Sequence, residues 1–316
     1  MSSPSFPPLR DLAAALRETV SEMPSSSFPL LRLPVVALRE VIEMIELKPL
    51  LNLSLCSKRT HFALKNYRRK SPMLLKLFSL NDDVEISRLE EKCSEDEVLF
   101  EVGDSSEQIQ STKTLVKFFW DVFAARVKEV AVMNNKIWML DLVEERQGAF
   151  SYDAEVWDNY DSTDEQSRHI LLDLNPRSLV FRQITSDEFR LDNFHKKYDN
   201  LSIFEGTWMT IENLYQLDCV TLCIKGRNFS NTEVNGYIKH VLSGGAPRLR
   251  KFRADIQHAN EDVILDGIRE LLTRSEQRED ELGIWNVKGT VAREEGLMEV
   301  GVMHLFKDVL LEIKET

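Results

Sequence analysis

Cysteine and histidine are scarce in this chain, and no stretch of it reads as a membrane or export segment. Four cysteines, at 56, 93, 219 and 223, are spread over 316 residues. That excludes the dense disulfide framework of a small exported domain. The six histidines (61, 169, 195, 240, 258 and 304) show no metal-ligand spacing. Cys219 and Cys223 stand four apart; within a strand they are expected on one face, about 13 Å from each other, too far to share a zinc ion without a turn between them. There is no Walker loop, no G-x-G-x-x-G, no H-E-x-x-H and no G-x-S-x-G. No catalytic or metal-ligating residue is therefore assigned, and no cofactor is expected. No apolar run approaches the roughly 20 residues of a membrane span, and the start lacks the basic-then-apolar pattern of a secretory signal. The sequons at Asn52, Asn200 and Asn228 are accordingly read as chance, and the expected compartment is cytoplasm or nucleus. A net charge of −12 leaves no basic surface for general nucleic-acid binding.

What is present is an ordinary globular composition, 43% hydrophobic and 29% charged, long enough for one large domain or two smaller ones. Charge falls in blocks. Ser57 to Lys76 carries seven Lys or Arg and no acid, which reads as an exposed helix face. Asp82 to Glu107 carries eleven acids and Asp141 to Glu165 nine, which read as solvated loops or polar helix faces. Leu9, Leu12, Leu16 and Val20 predict an N-terminal helix between Ser/Pro clusters. The clearest helix is 230–245. Ser230 and Glu233 have capping-box spacing, Val234, Tyr237, Ile238, Val241 and Leu242 form one stripe, and Gly244 and Gly245 stop it.

A short pattern of three apolar residues, spaced x-xx-x-x, recurs irregularly. It reads Val127/Val130/Val132, Tyr198/Leu201/Ile203, Leu217/Val220/Leu222, Leu249/Phe252/Ala254 and Leu282/Trp285/Val287, with a poorer copy over 176–181. The last two positions alternate as a half-buried strand requires. The spacings between copies, 49, 22, 19, 32 and 33, are uneven. With the helix between residues 220 and 252, the expectation is a leucine-rich-repeat-like succession of strand and helical return. The residues alternating with the apolar positions should then form an opposite face: Ala131 and Met133, Ser202 and Phe204, Thr221 and Cys223, Arg253 and Asp255, and Asn286 and Lys288. The competing expectation covers both faces with helices and packs these residues away.

The stretch from Phe28 to Thr60 is dense in Leu, Ile and Val, contains no glycine, and has prolines at 29, 34 and 49. Leu33-Pro34 precedes a helical stripe of Leu38, Val41, Ile42 and Ile45. Pro49 opens a second short helix over "LLNLSLC", and "SKRTHFALKN" makes a third. Three such helices bury too little surface to stand alone. This stretch resembles an F-box of the nematode-expanded type. Leu33-Pro34, Leu38, Val41, Ile42, Leu50, Leu51 and Leu55 carry the likeness, and Arg59-Thr60-His61 departs from the usual Arg-x-Trp. Residues 218–256 are similar to the core of the type-two F-box-associated domain.

The resemblance implies an α+β chain: an N-terminal three-helix F-box followed by an irregular leucine-rich-repeat-like strand/helix domain. The expected divisions are an N-terminal helix and linker (1–27), the F-box (28–70), an acidic connecting segment (71–110) and a capture domain (111–316). It further implies a non-catalytic substrate receptor of a cullin–RING ubiquitin ligase. Leu33, Pro34, Leu38, Leu50, Leu51 and Leu55 would contact a Skp-type adaptor, which binds the cullin, or shape its site. Met133, Phe204, Thr221, Cys223, Arg253, Asp255, Asn286 and Lys288 would face an unknown protein target. No nucleic-acid or membrane partner is expected. The alternatives are a scaffold outside ubiquitin transfer, with 28–66 as the first helical layer of an α+β core, and an enzyme with no readable motif.

Overall fold

The computed structural model describes residues 30–66, 73–80, 83–89, 97–101, 106–133, 136–157, 162–279, 285–293, 296–305 and 308–315. The N-terminal helix expected over 9–20 lies outside them. The chain forms two compact units. One comprises residues 1–77 and 82–127, the other 78–81 and 128–316.

The first unit is built on three short helices, α1 (Val35–Met44), α2 (Leu47–Cys56) and α3 (Lys58–Asn66), preceded by a single 3-10 turn. Helix α2 begins two residues before Pro49, which therefore sits in its first turn, where a missing backbone N–H costs nothing. Leu38, Ile42, Leu47, Leu50, Leu51 and Leu64 are buried between the helices. The segment 71–110, expected to be an acidic connection, contributes strands β1 (Leu74–Leu80), β2 (Asp83–Arg88) and β3 (Glu97–Glu101) and the first turn of α4 (Ser106–Phe123). Strands β2 and β3 pair antiparallel. His61 of α3 lies against Phe118 of α4 at 5.6 Å, and the Arg88 guanidinium donates to the Ile45 carbonyl that ends α1, at 3.0 Å. Residues 82–127 thus group with the helices rather than with the larger unit.

The second unit is a succession of six parallel strands, each beside the next: β4 (Arg126–Val132), β5 (Asp153–Val156), β6 (Ser178–Phe181), β7 (Lys197–Ile203), β8 (Asp218–Phe229) and β9 (Lys251–Ile256). Val130, Ala154, Leu179, Leu201, Leu222 and Phe252 stand in register across all six, and every one is buried. Two expectations are corrected by this row. The gap of 49 residues hides a copy at Ala154/Val156, missed because its positions are small or polar and only four residues are extended. In β8 the pattern is Cys219/Leu222/Ile224 rather than Leu217/Val220/Leu222, since Leu217 still belongs to the end of the preceding helix and Val220 is half exposed. The intervals become 24, 25, 22, 21 and 30 residues.

A third correction follows. The buried positions Cys219 and Leu222 are three apart, so the alternation slips once where the chain enters the strand. Cys219 faces the helices and Cys223 the opposite side. Burial pushes the Cys219 thiol up to about 12.

The returns differ in kind. Helix α5 (Trp138–Gln147) follows β4. A short helix α6 (Asp164–Arg168) running directly into a π-helical turn (His169–Asp173) follows β5. Residues 182–196 contain no helix, and Phe189, Leu191 and Phe194 fill the layer instead, with Phe189 and Phe194 edge-on to Trp208 at 5.3 and 5.9 Å. Helices α7 (Ile211–Gln216) and α8 (Asn231–Leu242) complete the series. Helix α8 is as expected: Ser230 and Glu233 close a capping box, all five stripe residues are buried, and Gly244 takes φ +94°. The same box recurs at Thr163/Gln166 and Thr210/Asn213. Side chains tie each return to the next. Glu144 of α5 accepts from the Tyr152 hydroxyl and the Asn175 backbone at 2.8 and 2.7 Å, and Asn213 donates to the Leu191 carbonyl at 2.8 Å.

After β9 and a short helix α9 (Glu261–Ile264) the chain changes mode. Strands β10 (Thr273–Glu279), β11 (Trp285–Arg293), β12 (Gly296–Leu305) and β13 (Asp308–Glu315) form an antiparallel meander, and β13 docks antiparallel on β9. The expected copy Leu282/Trp285/Val287 is therefore not a sixth return. Residues 282–284 lie outside the described residues, and Trp285 opens a hairpin strand.

The corrected register has a measurable consequence. Leu222→Ala should cost about 2–5 kcal/mol of unfolding free energy, as for a fully enclosed leucine, while Val220→Ala should cost less than about 1 kcal/mol. Urea unfolding of the two variants checks it; comparable large losses from both would restore the Val220/Leu222 reading.

Candidate functional site

Both units carry a face that the fold does not consume. In the first, Pro34 caps α1, and the Leu38 amide donates to its carbonyl at 2.9 Å. Ser57 caps α3 by accepting from the Thr60 amide at 3.0 Å. Of the six residues expected to meet an adaptor, Leu38, Leu50 and Leu51 are buried within the unit, Leu33 and Leu55 are half-buried, and Pro34 is exposed. The helices leave other apolar side chains in solvent: Val35, Val36 at 71%, Met44 at 83% and Phe62 at 68%. Periodicity alone could not find these, because they sit off the stripe that builds the core. Lys58, Arg59 and Lys65 are exposed, as expected of a solvated helix face; Arg68, Arg69 and Lys70 lie outside the described residues.

In the second unit the residues alternating with the buried row line the opposite face of the sheet. Paired positions across a sheet share a face. One row runs Glu129, Asp153, Ser178, Asn200, Thr221, Lys251, Glu312, Gly301 and Lys288. The next runs Ala131, Glu155, Val180, Ser202, Cys223, Arg253, Leu310, Met303 and Asn286. Asn286 and Lys288 thus share the face of Thr221, Cys223 and Arg253, although they arrive on an antiparallel strand. Ala131 is buried; the other side chains of these rows are half-buried or exposed. This sets aside the competing expectation of a sheet packed on both sides.

A third row runs through Trp157, Arg182 and Phe204, just beyond the ends of β5, β6 and β7, and Lys225 within β8. The ladder continues to hold it, with the amides of Trp157, Arg182 and Phe204 donating to the carbonyls of Val132, Val156 and Phe181. The Arg182 guanidinium stands 5.0 Å from the Trp157 ring centre and 3.7 Å from that of Phe204, and its Nε reaches Glu155 at 3.4 Å. Phe204 and Met133 lie on this face as expected and are half-buried there; Trp157 and Arg182 follow the copy ending at Val156 and the poor copy over 176–181, which give too weak a pattern to predict them.

Lys225, Arg253, Asp255 and Asp308 form a charge network where the parallel strands meet β13. The Lys225 ammonium pairs with Asp255 at 2.8 Å and with Asp308; Arg253 donates to Asp308 through Nε at 2.8 Å; the Gly226 amide donates to Asp255 at 3.0 Å. Gly226 has φ +83°, and a Cβ there would come within 2.8 Å of the Phe204 carbonyl oxygen. Burial acts to raise the Asp308 carboxyl, but Lys225, its pairing with Asp255, and Arg253 outweigh it and hold the group down at about 2. Asp255 is buried and engaged with Lys225 and Gly226, so it serves the sheet and offers little to a partner. Charge reversal at Arg253 would likewise test the fold before it tested the face. Among the described residues no three His, Cys, Asp or Glu side chains gather to hold a metal ion.

With this geometry in view, two family models match the chain. One, described as F-box domain, matches residues 30–71, and one described as F-box associated matches residues 191–254. The first covers α1 to α3, and the second runs from before β7 into β9, beginning earlier than the expected 218–256. Each covers less than half of the chain. F-box and F-box-associated domains are, as a class, non-catalytic substrate-recognition modules. No curated protein matches. A solved structure of an S-adenosylmethionine-dependent methyltransferase from Clostridium acetobutylicum aligns over 56% of this chain and 63% of its own, at 9% identity and a TM-score of 0.12; so low a score carries no inference about fold.

The charge network predicts an acid limb in stability. Asp308 titrates lower in the folded chain than the ordinary aspartate value of about 4, so its contribution is complete above that pH and is lost as pH falls toward 2. Asp308→Asn should lower stability at neutral pH by on the order of 3 kcal/mol, because Lys225 and Arg253 lose a buried partner. Urea midpoints measured from pH 7 to 2 should fall more steeply for the native chain than for the variant over the acid limb; parallel curves would remove Asp308 from this role.

Proposed function

We propose that this chain is a substrate receptor of an SCF-type cullin–RING ubiquitin ligase. Its F-box docks on a Skp-type adaptor, and its second unit, a leucine-rich-repeat-like platform, captures a protein to be ubiquitylated. The observation that carries the reading is the conjunction of an F-box match over residues 30–71 with exposed Val35, Val36, Met44 and Phe62 on the matched helices. A three-helix unit with its own core filled by Leu38, Leu50 and Leu51 has no internal use for these four side chains, whereas a protein partner would bury them. The F-box-associated match over 191–254 and the open sheet face support a capture role for the second unit. Of the eight residues expected to meet the target, Met133, Phe204, Thr221, Cys223, Asn286 and Lys288 keep that assignment, Arg253 and Asp255 are committed to the charge network, and Trp157 and Arg182 join the set. The cytoplasm or nucleus, where such ligases work, is the proposed location.

Interface energy concentrates in a few apolar anchors, each costing about 2 kcal/mol or more when removed. A chain carrying Pro34→Ala, Val36→Asp and Phe62→Asp should therefore lose a co-expressed Skp-type adaptor in pull-down while its thermal unfolding stays unchanged, since all three positions are exposed. Full retention of the adaptor by this variant would overturn the docking assignment. Failure of the unaltered chain to bring down adaptor and cullin would favour a scaffold outside ubiquitin transfer.

A further inference from the structure

The sheet face holds one group whose geometry specifies a ligand chemistry. The Arg182 guanidinium lies within cation–π distance of two rings, 3.7 Å from the centre of Phe204 and 5.0 Å from that of Trp157. Contact with both rings restrains the side chain, so part of the entropy of ordering a long flexible cation has already been lost. Its Nε has one long contact, 3.4 Å to Glu155. The two terminal nitrogens have no acceptor among the described residues, and the side chain remains 33% exposed. Both flanking rings are themselves partly open, Trp157 at 37%.

A guanidinium clamped in this way presents a planar pair of donors at fixed spacing. Their complement is an oxyanion that accepts two parallel N–H bonds, a carboxylate or a phosphate, and an unmodified protein segment carries only the first. A neutral amide carbonyl brings a single uncharged acceptor oxygen, and an ammonium brings none and is repelled. The exposed parts of Trp157 and Phe204 would meanwhile cover the apolar atoms that flank the acid. We propose that Trp157, Arg182 and Phe204 form an acid-reading subsite, which takes the side-chain carboxylate of an Asp or Glu in an extended segment of the target, next to an apolar residue. This deepens the reading of the sheet as a capture face and rests on it. Glu155 sharpens the choice: it occupies the Nε edge and repels an acid approaching from that side, so the carboxylate enters from the open end of the fork.

The test is selection of random nonapeptides, displayed with blocked termini, against the full chain. Enriched peptides should share one Asp or Glu beside an apolar residue. Replacing that acid by its amide should weaken binding by about tenfold or more. Arg182→Lys keeps the charge but removes the fork, and should weaken the parent peptide by a similar factor. The two changes together should cost no more than either alone, because they delete the same contact. Phe204→Leu keeps apolar volume and removes one ring, and should weaken the peptide in the same direction; it stands in if Arg182→Lys lowers the thermal midpoint. Enrichment without a fixed acid, no enrichment at all, or binding kept within about threefold by both variants would overturn the proposal. Adaptor pull-down reads the helices of the first unit, so a failed receptor assignment and a failed acid subsite give different results.

Discussion

Six short strands must lie in parallel register, and one row of buried side chains, Val130, Ala154, Leu179, Leu201, Leu222 and Phe252, enforces it. A slip of one residue in any strand would send that strand's apolar positions to the open face. Because the row fixes the register, the returns are free to differ. One is a three-turn helix, one ends in a π-helical turn, and one has no helix and fills its layer with Phe189, Leu191 and Phe194. All must bring the chain back to the start of the next strand, and the intervals of 21 to 30 residues show how much variation that allows.

The same register makes the open face. Every residue that packs inward commits its neighbour to point outward, so the outer rows are a by-product of the core pattern. Two kinds of chemistry are layered on them. Toward β5 to β7, aromatic rings and Arg182 meet solvent. Toward β8, β9 and β13, Lys225, Arg253, Asp255 and Asp308 turn inward on each other and join a parallel array to an antiparallel one. A face that looks uniform in the register is thus divided into a part with free donors and a part whose charges are mutually satisfied.

This division explains what the sequence could and could not disclose. Helix α8 was legible down to its cap and its glycine stop, because Ser230, Glu233 and Gly244 act locally. The sheet face was legible as a set of alternating residues, and Asn286 and Lys288 fell on it even though their strand runs antiparallel. The copy at Ala154 was not legible, since alanine in a four-residue strand gives almost no periodic signal, and with it went Trp157. Cys219 and Cys223 lie on opposite faces although strict alternation predicts one, because the entry to the strand slips by one residue. In the F-box, apolar spacing picked out the residues that hold the helices together. The exposed Val36, Met44 and Phe62 carry no pattern, since what marks them is the absence of a neighbour.

The meander after β9 has a consequence for colloidal behaviour. A row of parallel strands has raw ends, and each end strand offers its unpaired backbone to any extended chain, including another copy of itself. At this end of the order the final strand is β10, whose sequence is Thr-Arg-Ser-Glu-Gln-Arg-Glu. It contains no apolar residue, and its pairing with β11 is interrupted by a register shift between Thr273 and Glu276. Both features discourage edge-to-edge growth. A chain cut short before β13 would instead end its sheet at β9, with Phe252, Ala254 and Ile256 beside open backbone, and would be prone to pile up into aggregates.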